Sequence, residues 1–178
     1  SLDARPEMFE QGWPEAIRYP QLSRHYHTVG QMMGVQSLPD NQWTPRTRLM
    51  HEAAEKLGHG GRFKVVPQAI QFDPEWHAGL DDAYDYRHSK TWTNAHGREQ
   101  GTCVHCGNCD LGCPVNAKNT LDLNYLARAE QHGADIRPLH HVRWIRALED
   151  GRYEVGVRDL LAGAWRRYRA GRVIVAAG

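Results

Sequence analysis

The chain has 178 residues, with 22 Lys and Arg against 21 Asp and Glu, and a formal charge of +1. That length suits one domain with a real core and falls short of two ordinary ones, and so even a charge balance points to neither nucleic acid nor an anionic membrane as partner. No apolar run approaches the roughly 18 residues that a membrane-spanning helix needs.

The first fifteen residues, with Pro6, Gly12 and Pro14, read as irregular. From Tyr19 to Met33 the apolar residues Leu22, Tyr26, Val29 and Met33 recur at helical spacing, and Gly34 supplies a stop. A second helix is expected from Thr44, with Pro45 at its first position, Leu49, Ala53 and Leu57 along one face, and Gly58 at its end. The stretch RFKVVPQAIQF reads as one or two short strands interrupted by Pro67. Residues 73–102 have no clear period but are rich in aromatic and polar side chains, Trp76, Tyr84, Tyr86 and Trp92 among them. A long loop of that kind is expected to be an aromatic-packed but mobile lid over a site, and not part of the core.

Residues 103–113 hold every cysteine of the chain: Cys103, Cys106, Cys109 and Cys113, spaced C-x2-C-x2-C-x3-C and followed by Pro114. Bridges stabilise most when they close long loops, so this bunching is no disulfide framework. It suits a site where thiolates converge, and the spacing is the run that wraps iron–sulfur clusters in bacterial ferredoxins. In those proteins a remote cysteine completes the cluster, and this chain has none. Three readings stay open: an iron–sulfur cluster, a zinc ion, or reduced thiols in a packed loop anchored by Leu111 and Val115. The eleven histidines are scattered, form no H-x3-H or H-E-x-x-H pair, and read as surface or loop residues.

Beyond the cysteines, Asn119 or Thr120 is placed to cap a helix with Leu121, Tyr125, Leu126 and Ala129 on its apolar face, closed by Gly133. The remainder is strand-like. HHVRWIRALE leads through the turn EDGR to YEVGV, whose Tyr153, Val155 and Val157 alternate onto one face, and AWRRYR pairs with it across a turn at Gly163. The final RVIVAAG reads as a short strand buried on both faces, as in a parallel sheet. The fold class expected is therefore α+β: helices and an antiparallel meander, ending in one strand of an incomplete parallel α/β sheet. Ser1 is not preceded by Met and no signal peptide is visible, so the chain is read as an excised internal piece. Localisation stays undetermined, with cytoplasm favoured over secretion.

Two segments, AKNTLDLNYLARAEQHGADIRPLHHVRWIRALEDGRYEV and RVIVAAG, resemble the glucose–methanol–choline family of flavin oxidoreductases, most closely its cholesterol-oxidase-like branch. Weaker agreement covers YPQLSRHYHTVGQMMGV and EAAEKLG. The resemblance implies an FAD enzyme acting on the CH–OH group of an alcohol or sterol-like substrate by hydride transfer. It also implies that residues 1–118 belong to a substrate-binding cap and 119–178 to a discontinuous FAD domain, with the rest of the same flavoprotein as partner. No G-x-G-x-x-G loop occurs here, and no position matches the family's catalytic histidine, so the resemblance assigns no catalytic residue. Val142 matches a position whose backbone contacts the adenine end of FAD, and Gly178 matches a strand-end glycine beside the cofactor. The other classes to weigh are a stand-alone iron–sulfur electron carrier and a zinc-stapled binding domain.

Overall fold

The computed structural model describes Ala4 and residues 6–177. The chain divides into two compact units, Ser1–Gly133 and Ala134–Gly178.

The first unit opens with α1, Tyr19–Met32, where Pro20 stands in the first turn and Gly34 (φ +54°) reverses the chain; the Val35 amide returns to the Gly30 carbonyl at 2.9 Å. This left-handed closure spends a glycine where a Cβ would be strained. Helix α2, Pro45–Lys56, begins as its sequence requires, with the Thr44 hydroxyl accepting from the Thr47 amide at 3.3 Å. Neither helix buries a side chain fully, and Leu57 at the end of the α2 stripe is 73% exposed. The period forms the helices here without fixing what covers them.

The stretch around Pro67 forms no strand, only single bridges from Gln36 to Gln68 and from Ile70 to Lys118. Proline has no amide to give a ladder, which limits pairing to isolated contacts. Residues 73–102 hold more order than their missing period implied. They contain a hairpin of β1, Thr91–Thr93, and β2, Glu99–Gly101, and buried Asp73, Trp76, Ala83, Gln100 and Thr102. The Trp76 indole donates to the Ala83 carbonyl at 2.8 Å, and the Asn94 side chain accepts from the His96 and Arg98 amides to close the hairpin turn. The expected helix start at Asn119 or Thr120 moves on. Leu121–Leu123 is a 3-10 turn, and α3, Tyr125–Gln131, is capped by Asn124, which accepts from the Tyr125 amide at 2.7 Å. Asn119 is instead buried.

The second unit is an antiparallel meander of β3, His140–Ala147, β4, Tyr153–Asp159, and β5, Ala164–Ala170, in the order β3-β4-β5. The register puts Ile145, Val155 and Tyr168 in one row and Val142, Val157 and Arg166 in the next. The other face carries Arg146–Glu154–Arg169, with the buried Glu154 carboxylate 2.9 Å from Arg146 and 3.7 Å from Arg169. Beside that row Trp144 lies flat on Gly156. The turn after β4 hangs on Asp159, whose carboxylate accepts the Leu161 and Ala162 amides. The Ala162 bond foremost holds its pKa below the ordinary aspartate range, against the effect of burial, with His140 and Arg166 adding to the lowering.

Among the described residues the α+β class is realised as three α-helices and two small antiparallel sheets. No parallel sheet is present among the described residues. Val173–Val175, expected as a buried parallel strand, runs unpaired, and Ile174 is 91% exposed. An apolar run becomes a strand only where a neighbouring strand takes its amides and carbonyls. Among the described residues, no helix is long and apolar enough to cross a membrane.

Candidate functional site

The cysteine loop is held by its backbone. His105, Gly107, Gly112 and Asn116 all take positive φ, and these left-handed steps fold residues 103–116 into a tight coil. The His105 amide reaches the Cys103 sulfur at 3.4 Å and the Ala117 amide reaches the Cys113 sulfur at 3.2 Å. All four cysteines are free and half-buried. Burial pushes the Cys103 thiol up to about 11, and the nearby Cys109, Cys113 and Cys106 push in the same direction against the His105 amide. In the metal-free loop a thiol so held is protonated at neutral pH.

Among the described residues no set of three or more His, Cys, Asp or Glu side chains is arranged to hold a metal ion. The iron–sulfur and zinc readings of Cys103, Cys106, Cys109 and Cys113 therefore find no support. The anchors of the loop also differ from those expected. Leu111 is 92% exposed and Val115 half-buried, whereas Val104 is completely buried.

His105, one residue further on, was not legible as a functional position. Its ring lies 4.2 Å from the Trp76 ring and 6.1 Å from Phe72, and its Nε2 meets the buried Gln42 side chain at 2.9 Å. Burial lowers its basicity, so the ring is neutral over a wider pH range than a free histidine. The Gln42 amide donates to the Asp73 and Trp76 carbonyls, and the Asp73 carboxylate takes Lys90 at 3.0 Å. Glu75 also binds Lys90 and, with Asp73, raises its ammonium above the ordinary lysine range. The only sequence signal was the position of His105 between two cysteines. On the outer side, Cys106 lines a cleft with Asp82, Tyr84, Asp85, Tyr86 and Asn108, and the Asn108 amide donates to the Tyr86 hydroxyl at 3.1 Å.

The cofactor position Val142 lies on β3, an edge strand, directly before a register break between Val142 and Trp144. Such a bulge leaves its extra residue, here Arg143, out of the ladder, and an edge strand has one side of its backbone unpaired. Val142 is itself 48% exposed. On its outer side the backbone here pairs with no other strand among the described residues. Gly178 lies outside the described residues. The structure gathers the four cysteines in one loop of the first unit and puts Val142 in the second.

Over 139 residues, 72% of this chain and 24% of the relative, the sequence is 34% identical to a cholesterol oxidase of Acinetobacter baumannii. Over 190 aligned positions, which take in 100% of this chain and 31% of the relative, it is 30% identical to cholesterol oxidase of Mycobacterium tuberculosis, strains CDC 1551 and H37Rv. The chain is similar to part of cholesterol oxidase. It spans less than a third of the length of the relatives it matches, so its relation to the glucose–methanol–choline oxidoreductases is to a part of their length. No family model and no solved structure matches it.

Proposed function

We propose that this chain forms part of an FAD-dependent oxidoreductase that acts on CH–OH donors, with an alcohol or sterol-like molecule as substrate. The observation that carries the reading is similarity to cholesterol oxidases along the full chain, in the company of a meander with a free backbone edge at Val142. FAD, when bound, supplies the acceptor for the hydride leaving the substrate carbon. In this reading the Val142 backbone holds the adenine end of FAD and Gly178 lies beside the cofactor. Residues 1–118 belong to the substrate-binding cap, with 73–102 as a packed lid, and residues 119–178 belong to the FAD domain. The base that removes the hydroxyl proton is supplied by chain beyond these residues.

The exposed apolar surface supports the same reading. Leu49 and Met50 on α2, Leu57 just after it, and Val142 and Ile145 on β3 are open, and surface of this kind is normally covered by further protein. The remaining segments of the same flavoprotein are its natural cover, and one of their strands would pair Val173–Val175 as part of a parallel sheet.

The deciding experiment extends the reading frame on both sides and purifies the full product. The expected result is a G-x-G-x-x-G loop upstream, a Leu-Gly-Thr turn downstream, and a yellow protein whose flavin is bleached anaerobically by an alcohol or a sterol. A full-length product that carries no flavin, or whose flavin no alcohol reduces, would overturn the proposal.

A further inference from the structure

The two turns of the meander differ in kind. Between β3 and β4 the chain passes through Glu149, Asp150, Gly151 and Arg152, and Asp150 and Arg152 form an ion pair. Between β4 and β5 it runs Leu160-Leu161-Ala162-Gly163-Ala164-Trp165, without a single polar side chain. Turns of soluble proteins are built from polar residues, and an exposed apolar run of this length is kept only where something uses it.

Leu161 is 85% exposed, Trp165 59%, and Leu160 more than half. The backbone holds them so. The buried Asp159 carboxylate accepts the Leu161 and Ala162 amides and fixes the turn from its inner side. The Leu160 amide donates to the Leu139 carbonyl at 2.9 Å, which sets Leu139 beside the turn, itself more than half exposed. Leu139 takes φ +57°, a left-handed step that a bulky residue rarely makes. Strain of this kind persists where the surrounding structure has a use for it.

The residues flanking the turn are cationic: Arg158 precedes it, and Arg166 and Arg167 follow it. Arg166 and His140 share Asp159, at 3.5 and 3.8 Å, whereas Arg158 and Arg167 pair with no carboxylate among the described residues. The register sets His141, Arg158 and Trp165 in one row and Trp144, Gly156 and Arg167 in the next. Both unpaired guanidiniums and both indoles therefore lie on one face of the sheet, which Arg146 and Arg169 continue around the buried Glu154. The opposite face carries Val142, Ile145, Val155 and Val157, the side suited to packing on further protein. Residues 134–178 hold nine Arg and no Lys against five Asp and Glu, an excess that the even balance of the whole chain conceals.

An apolar tip with indoles and guanidiniums behind it matches the layers of a lipid surface. Leucines reach the acyl boundary, indoles settle among the headgroups, and guanidiniums take phosphate oxygens in pairs. An acidic protein would satisfy the arginines and leave the leucines without a use. Nucleic acid needs open ring faces for its bases, yet Trp144 lies on Gly156 and the Arg158 guanidinium lies over the Trp165 ring.

We propose that the β4–β5 turn and the Arg–Trp face beside it dock this chain on a membrane surface that bears anionic phospholipids. The proposal goes beyond the flavin reading and needs neither cofactor nor substrate.

The test incubates the 178-residue chain with vesicles of phosphatidylcholine alone, or of phosphatidylcholine mixed with phosphatidylglycerol, and measures the protein that sediments with them. Saturable binding to the mixed vesicles is expected, at least tenfold tighter than to the neutral ones, with a blue shift of tryptophan emission. Leu161→Ser alters a side chain that the fold leaves in solvent, so it should keep thermal unfolding unchanged and weaken binding at least tenfold. Arg158→Gln combined with Arg167→Gln should remove most of the preference for the anionic vesicles; should that variant unfold, the Leu161→Ser comparison still decides. No binding to the mixed vesicles, or equal binding by Leu161→Ser, would overturn the proposal. Soluble polyglutamate held as tightly as the vesicles, with or without Leu161, would overturn it in favour of an acidic protein partner. The full-length product must show the same dependence on Leu161, and a full-length protein that ignores the vesicles would also overturn it.

Discussion

Gly156 is the position where one added methyl group should cost the meander most. It sits in the middle of β4 with ordinary strand backbone, opposite Trp144 on β3 and Arg167 on β5. A Cβ there would lie 2.0 Å from Cε2 of the Trp144 indole and 2.4 Å from both Cζ2 and Nε1. Carbon atoms pack at about 3.5–4.0 Å, so in Gly156→Ala the ring must retreat by roughly 1.5 Å or leave the sheet. The indole is rigid and cannot absorb this with a terminal bond. Overpacking of this kind costs about 1–3 kcal/mol. Alanine's better strand backbone entropy offsets only about 0.5–1 kcal/mol of it. A net loss of about 1–2 kcal/mol is expected, read by urea unfolding with the Val157 methyl resonances as probe. The double variant with Trp144→Ala should recover part of it, giving a coupling of about 1 kcal/mol or more. Gly171→Ala is the control, since nothing lies within 4 Å of a Cβ there. A Gly156→Ala protein as stable as the control would refute the argument that Gly156 exists to seat the indole. The consequence reaches the proposed cofactor contact, because Trp144 fixes the far side of the bulge that follows Val142.

Gly30 lies within α1 with open space where a Cβ would stand, so Gly30→Ala should raise stability by about 0.5–1 kcal/mol in thermal unfolding. Burial depresses the His105 basicity below its ordinary 6.5, so the unfolded chain takes up this proton first. Its contribution to stability is therefore complete above pH 6.5 and declines as pH falls through the lower folded value. His105→Asn, a residue that tolerates positive φ, should flatten the pH dependence of unfolding in that window, and an unchanged slope would contradict the assignment. With its thiol pushed up to about 11, Cys103 should be the slowest of the four cysteines to react with iodoacetamide. At pH about 8 only roughly one molecule in a thousand carries the thiolate there, and peptide mass spectrometry over a time course would show the order of labelling.

The elements whose information is local were legible in the sequence. Helix α2 starts at Pro45 because Thr44 can cap it, and α1 ends at Gly34 because glycine accepts the left-handed turn. The meander pairs as its alternation required, since Tyr153, Val155 and Val157 must share a face. The relation to the cholesterol oxidases was legible too, carried by residues around that meander. What depended on distant partners was not. The run Val173–Val175 has the composition of a buried strand, yet a strand is made by the neighbour that takes its hydrogen bonds, and none of the described residues does so. The cysteine spacing allowed a cluster, but whether the sulfurs are arranged to hold a metal depends on how the loop packs, and among the described residues they are not so arranged. Asn119 looked like a helix cap because asparagine usually serves there. The fold buries it against Gln100 instead, from a hairpin nineteen residues away in sequence. His105 and Gln42 likewise meet across 63 residues. No periodicity announces such pairs, because they arise only when separate segments close on one another and each buried polar atom must find a partner there.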